Sequence, residues 1–330
     1  MSDWQAFIES QPKQQQDGNF ICDASDLGLI LVTGDDAKNF LQNQFSNDIA
    51  EIDQNHFQLS SYSSPKGRML AIFRIVQIDN GYLLICPSAL LSKLIPLLQM
   101  YVVHSQVSLA DASAHFSRLA IMTDQAGVIE QGYLPKNEGE VRQSDSLIAL
   151  NLGKLDGEAR FLLLSLVQDE AITIWNQLCE SLQTSSFDSW RLSEIKAGIP
   201  VIYPETSEEF VAQMANLNLL GGVNFKKGCY PGQEIVARMQ YLGKLKRRMF
   251  LARIETNECP APGDDLVGNS TGGAADGSGK IVEAVLDHQG HCYCLYIAQI
   301  KKALDNSLRL LKQPEAKFLP LNLPYPLADE

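Results

Sequence analysis

The ten residues Phe225-Lys226-Lys227-Gly228-Cys229-Tyr230-Pro231-Gly232-Gln233-Glu234 concentrate more chemistry than any other stretch of this chain. A cysteine attacks or ligates as its thiolate, and neighbouring cations favour that form. Lys226 and Lys227 stand three and two positions before Cys229, and Gly228 and Gly232 give the backbone freedom to hold a loop thiol in the open. Gln233 and Glu234 then open a helix or turn in which Ile235 and Val236 bury. The competing reading is Cys229 as a small buried hydrophobe. No histidine lies close in sequence to act as its base, which speaks against a Cys–His hydrolase. On the reactive reading, Cys229 and Lys227 are the catalytic candidates, with Lys227 favouring the thiolate.

Three other constellations invite chemistry. His288-Gln289-Gly290-His291-Cys292-Tyr293-Cys294 has metal-binding residue types, but zinc sites pair two separated ligand knuckles and no second half is present. Asp287–His291 reads better as a hairpin turn centred on Gly290. The stretch Gly272–Lys280 imitates a phosphate loop, but Ala274 stands at the first-glycine position and Ile281 where Ser or Thr would bind magnesium. It also precedes a strand rather than a helix. Trp190 is either a core residue or a flat wall for a planar heterocycle.

Charge is distributed unevenly. The 27 Lys and Arg against 39 Asp and Glu give a net −12, with no sign of a nucleic-acid coat or a membrane-surface protein. Yet residues 226–248 hold seven bases (Lys226, Lys227, Arg238, Lys244, Lys246, Arg247 and Arg248) and one acid, Glu234. That strip is +6 and leaves −18 for the remainder. It is either a solvated turn between domains or an anion site for a polyglutamate tail, a phosphate or an RNA backbone. As an anion patch it would consist of Arg238, Lys244, Lys246, Arg247 and Arg248.

The elements that must position these residues follow from periodicity and punctuation. Of 330 residues, 45% are hydrophobic and 20% charged, enough for a sizeable core and far from a disordered chain. The seven cysteines are odd in number and scattered, which predicts reduced thiols in a reducing compartment. The polar first twenty residues lack a signal peptide, and Leu83–Val103 is interrupted by Pro87, Lys93, Pro96 and Gln99, so a cytoplasmic location is expected. Cys22–Val32 reads as one strand, followed by a helix carrying Ala37, Phe40 and Leu41. Phe57–Tyr62 and Met69–Ile78 read as paired strands around the loop Ser63–Gly67, and Tyr82–Cys86 as another. Ser88 caps a helix that Pro96 should kink or end early. Phe116–Met122, Leu147–Leu152 and Phe161–Leu166 are strands, and Glu170–Leu182 is a helix with Ala171, Ile174, Trp175 and Leu178 on one stripe. Beyond Met249 the pattern is short strands, Met249–Ile254, Lys280–Leu286, His291–Ile300 and Ser307–Leu311, as in a small barrel or sandwich.

With those residues in view, the chain resembles the YgfZ family of folate-binding, tRNA-modifying proteins, within the superfamily of the glycine-cleavage T-protein. Lys227-Gly228-Cys229-Tyr230-Pro231-Gly232-Gln233-Glu234 matches the family's K-G-C-Y-x-G-Q-E signature. Gly34 through Asp48, Ser64–Arg68, Ala197–Pro200 and Leu323–Leu327 support the match. The resemblance implies an α+β fold with a T-protein-like three-domain arrangement around a central channel. Residues 1–240 would form two intertwined mixed α+β domains that bind folate, and 241–330 a small C-terminal β-barrel. It implies a tetrahydrofolate or derivative as cofactor and a role in iron–sulfur enzyme assembly or repair, hence in tRNA thiomethylation, with the signature cysteine required. Implied partners are folate and iron–sulfur proteins such as tRNA-thiomethylating enzymes, with direct tRNA contact open and no membrane. The signature set is Lys227, Gly228, Cys229, Tyr230, Gly232, Gln233 and Glu234, and the folate positions are Leu27 and Trp190. Leu27 stands where the family has a first tryptophan. Lys196 stands where T-proteins carry a pterin-reading glutamate, and Arg68-Met69-Leu70-Ala71 follows Gly67 where they carry an acidic pair. Glycine-cleavage aminomethyl transfer is therefore not expected, for want of its acid–base group. The alternatives are a tetrahydrofolate-dependent one-carbon transferase and a non-catalytic RNA-binding adaptor.

Overall fold

A computed structural model describes residues 3–241, 243, 245–256, 258–268 and 277–327. The chain forms two compact units, both discontinuous. The first holds 1–41, 49–58 and 73–190; the second holds 42–48, 59–72 and 191–330. No helix among the described residues is long and apolar enough to cross a membrane.

The first unit is built on a six-stranded sheet in the order Gln183–Ser185, Phe20–Asp23, Ser117–Thr123, Glu158–Ser165, Leu147–Leu155, Val141–Gln143. Its pairs are antiparallel except the one between Phe20–Asp23 and Gln183–Ser185. Ser117–Thr123 is buried along its whole length, as a central strand covered on both faces must be. The helix Gln168–Leu178 buries Ala171, Ile174, Trp175 and Leu178, the stripe its 3.6-residue period predicts. A short helix, Asp3–Glu9, adds Trp4, whose ring meets Trp175 edge-on at 5.8 Å.

The expected single strand over Cys22–Val32 is two. Phe20–Asp23 ends at a turn in which Leu27 N–H donates to Ala24, and Leu27–Thr33 starts a new pairing with Gly81–Pro87 and Ser108–Asp111. Pro96 does not end its helix, which runs Leu91–Gln99 with the proline inside and Leu91, Leu94 and Leu98 buried. Burial of that leucine face outweighs one missing backbone hydrogen bond. The strand Met69–Ile78 carries the chain from the second unit into the first.

The C-terminal part of the second unit is an antiparallel six-stranded sheet. Its order is Leu308–Leu310, Asp265–Gly268, Gly279–Leu286, Cys292–Gln299, Arg247–Glu255, Lys317–Leu321. The two edge strands approach each other, so the sheet curls into a half-barrel. Four strands match the sequence reading; Asp265–Gly268 and Lys317–Leu321 are additions. Asp287–His291 forms the expected turn: Asp287 Oδ1 accepts from the N–H groups of Gln289 and His291, and Gly290 adopts φ +83°. The expectation of seven reduced cysteines fails for Cys259 and Cys292, which form a disulfide. The sheet brings these two Cα atoms within 5.8 Å, close enough to bridge, a proximity that their spacing does not reveal. Residues 269–276, most of the phosphate-loop imitation, lie outside the described residues; Gly279 and Lys280 open a strand, as expected.

Candidate functional site: a thiol loop on a polar bed

All parts of this site lie in the second unit. The signature begins in a loop and ends in the helix Gln233–Tyr241. Asn224 Oδ1 accepts from the backbone N–H groups of Lys226 and Lys227, an Asx turn that bends the chain into the loop. Gly232 adopts φ +80°, and a Cβ there would stand 2.5 Å from Gly67 Cα. Glycine is thus required for conformation and for close approach to the turn Ser64–Gly67. Val236 is buried as expected; Ile235 is 40% exposed, against expectation, because its position flanks the Gly67 turn rather than the core.

Lys227 reverses its expected role. It is only 8% exposed, and its Nζ donates to the backbone carbonyls of Gln42 (2.7 Å), Phe45 (2.6 Å) and Asn47 (2.8 Å). An ammonium has three protons, and all three are used. Burial draws its pKa down to about 8, with Asp48 opposing, so the charge persists at neutral pH. Lys227 is a positioning residue that fastens the loop, with no donor left for the Cys229 thiol. The Tyr230 ring lies 5.3 Å from Nζ and is buried, which pushes its phenol up to about 12.

The segment receiving Lys227 is itself held by side chains. Ser46 Oγ donates to Gly222 O at 2.7 Å and accepts from Ser61 N–H at 2.8 Å. Asn47 Nδ2 donates to the carbonyls of Leu59 and Gly221. Gln213 Nε2 caps Val236 O at 2.6 Å, and Asn216 Nδ2 caps Met249 O at 3.0 Å. These contacts pair most of the polar groups in the buried bed, as low-dielectric surroundings favour, while Gln213 Oε1 and the Tyr230 hydroxyl have no hydrogen-bond partner. The bed's outcome is exposure of one thiol: of the five free cysteines, Cys22, Cys86 and Cys294 are buried, Cys179 is half-buried and Cys229 is exposed. The buried three have thiol pKa values raised chiefly by desolvation.

The basic strip does not act as one patch. Lys226, Arg238 and Lys246 are exposed. Arg247 is half-buried with its guanidinium on Gly277 O. Arg248, expected in the anion patch, is buried beside Asn216 because both faces of its strand are covered. Lys244 lies outside the described residues. Among the folate positions, Leu27 is half-buried at a strand start and Trp190, in the first unit, is 1% exposed, with no ring face open to a ligand. Lys196 Nζ sits 4.7 Å from the Tyr293 ring centre.

Sequence reading missed Glu283. A register shift in the pairing with Cys292–Gln299 between Ile281 and Glu283 turns this carboxylate inward, where Oε1 accepts from Arg191 Nε (2.7 Å) and Tyr203 OH (2.5 Å). Oε2 has no partner, and burial raises its pKa despite the arginine. No local sequence pattern announces such a bulge.

The fold is of a T-protein-like α+β class. The fold matches the glycine cleavage system aminomethyltransferase T from Bartonella henselae with a TM-score of 0.73, over 94% of this chain and 85% of that one, at 13% identity. In sequence, the chain is 32% identical over 308 residues to the tRNA-modifying protein YgfZ of Photobacterium profundum, covering 92% of this chain and 91% of that protein. The proteins of that name from Colwellia psychrerythraea (28% identical, 94% of each chain) and Yersinia enterocolitica (29%, 92% of each) match over the same extent. No protein-family model matches the chain. The chain belongs to the YgfZ family.

Proposed function

We propose that this chain supports tRNA modification by maintaining iron–sulfur enzymes, with Cys229 as the thiol that meets the partner. The observation that carries the reading is the contrast in exposure: a buried polar bed and a buried, fully bonded lysine end in one solvent-facing free cysteine. The names of the relatives supply tRNA modification, and the cytoplasmic setting of tRNA and of iron–sulfur enzymes accords with it. Tetrahydrofolate belongs to the proposal as a ligand of the class. Trp190, with its ring fully covered, does not fit a stacking wall for it in this conformation, so no step is routed through folate.

The test is replacement of Cys229 in cells that depend on this chain for thiomethylated tRNA, read by nucleoside mass spectrometry. Cys229→Ser is expected to abolish the thiomethylation while the melting temperature of the purified protein stays within about a degree, since an exposed side chain contributes little to stability. Retention of full modification by Cys229→Ser overturns the reading. Titration calorimetry of tetrahydrofolate against the wild type and Trp190→Ala decides the ligand separately: binding lost in the variant assigns it to Trp190.

A further inference from the structure

The helix that follows the signature ends in an aromatic residue that the core does not use. Tyr241 is 67% exposed, and its ring meets Phe225 at 6.1 Å with an interplanar angle of 73°. Phe225 is half-buried and packs against the hydrophobic core of the second unit, so it is an anchored support for the tyrosine. These two rings close the segment between them, which carries the exposed Lys226, Cys229 and Arg238. Arg238 precedes Tyr241 by three positions and shares its helix face. Glu234, one turn earlier on that face, is the one acid of the strip.

A braced tyrosine that is mostly exposed, flanked by cations, is the composition of a base-stacking platform for unpaired nucleic acid. Charge favours a polyanion: among the described residues of the strip, Lys226, Arg238 and Lys246 are exposed against the single acid Glu234, a cationic surface on a chain of net −12. We propose that Tyr241, braced by Phe225, stacks an unpaired nucleotide of RNA while Lys226 and Arg238 meet its flanking phosphates, placing single-stranded RNA beside Cys229. This inference deepens the tRNA reading above and rests on it.

The experiment is fluorescence anisotropy of a labelled unstructured oligoribonucleotide and of a labelled RNA duplex against the full chain over a salt series. Parent protein is expected to prefer the single strand. Tyr241→Ala should weaken that binding about tenfold, whereas Tyr241→Phe, which keeps the ring, should stay within about twofold. Arg238→Gln should weaken binding and flatten the log–log salt slope by about 0.7, one phosphate on a single strand. Cys229→Ser should bind like the parent. Absence of RNA binding by the parent, or equal affinity of parent and Tyr241→Ala, overturns the platform. The two proposals fail separately. Equal RNA affinity with a Cys229-dependent modification removes the platform alone. Tyr241-dependent binding with modification intact in Cys229→Ser removes the thiol reading alone.

Discussion

The first unit and the bed of the second unit bury their residues for opposite reasons. Around Trp175 and Phe161 the first unit excludes water from side chains that gain by leaving it; Leu119, Ile121, Leu163 and Ala171 are fully covered. Such a core is non-directional and forgiving of conservative exchange. Around Lys227 the second unit covers groups that lose by leaving water and are recovered by aimed partners: Lys227 Nζ by the Gln42, Phe45 and Asn47 carbonyls, Val236 O by Gln213 and Met249 O by Asn216. The difference teaches where specificity is held. An apolar core tolerates substitution and sets little beyond compactness, whereas a bed of aimed hydrogen bonds tolerates little and fixes the loop that bears the thiol.

The sharpest way to break this contrast is Lys227→Met, close in volume and without charge. Three buried carbonyls then lose their donor at once, and urea denaturation should report a loss of about 5 kcal/mol. Leu163→Ala, in the core of the first unit, should cost about 3 kcal/mol by the same method. Should Lys227→Met cost less than Leu163→Ala, the bed adds nothing beyond side-chain volume and the contrast collapses. The smallest effect is a slope. Glu283 has a raised folded-state pKa, so the folded chain keeps a proton that the unfolded chain releases near 4.5. This contribution is full below that pH and is lost as pH rises through the raised value. Stability measured across that window should fall with pH in the parent, and Glu283→Gln should lack this component. An unchanged slope in the variant places the titration elsewhere.

What could be read beforehand follows the same division. The stripe Ala171, Ile174, Trp175 and Leu178 was legible because a helix repeats its burial every 3.6 residues, and the turn at Gly290 because its chemistry is local. The octapeptide marked Cys229, but nothing near Lys227 in sequence tells that its acceptors lie 180 to 185 positions earlier. Sequence adjacency suggested that the lysine serves the cysteine; geometry gives it to the backbone. Arg248 and Glu283 were hidden similarly, since a strand covered on both faces and a bulge decide their burial, and neither is a property of residue type. The disulfide between Cys259 and Cys292 depends on proximity produced by the finished sheet.

The span between Lys227 and its acceptors also has a consequence in time. Residues 42–48 leave the ribosome about ten to forty seconds before Lys227 at ordinary elongation rates of about 5–20 residues per second. Throughout that interval the carbonyls of Gln42, Phe45 and Asn47 have no ammonium to receive. They belong to the second unit, whose main body is still untranslated. The thiol loop thus cannot acquire its shape until Lys227 itself has emerged. Because its parts come from stretches 180 to 185 positions apart, a fragment that begins at residue 191 inherits the signature without the means to hold it.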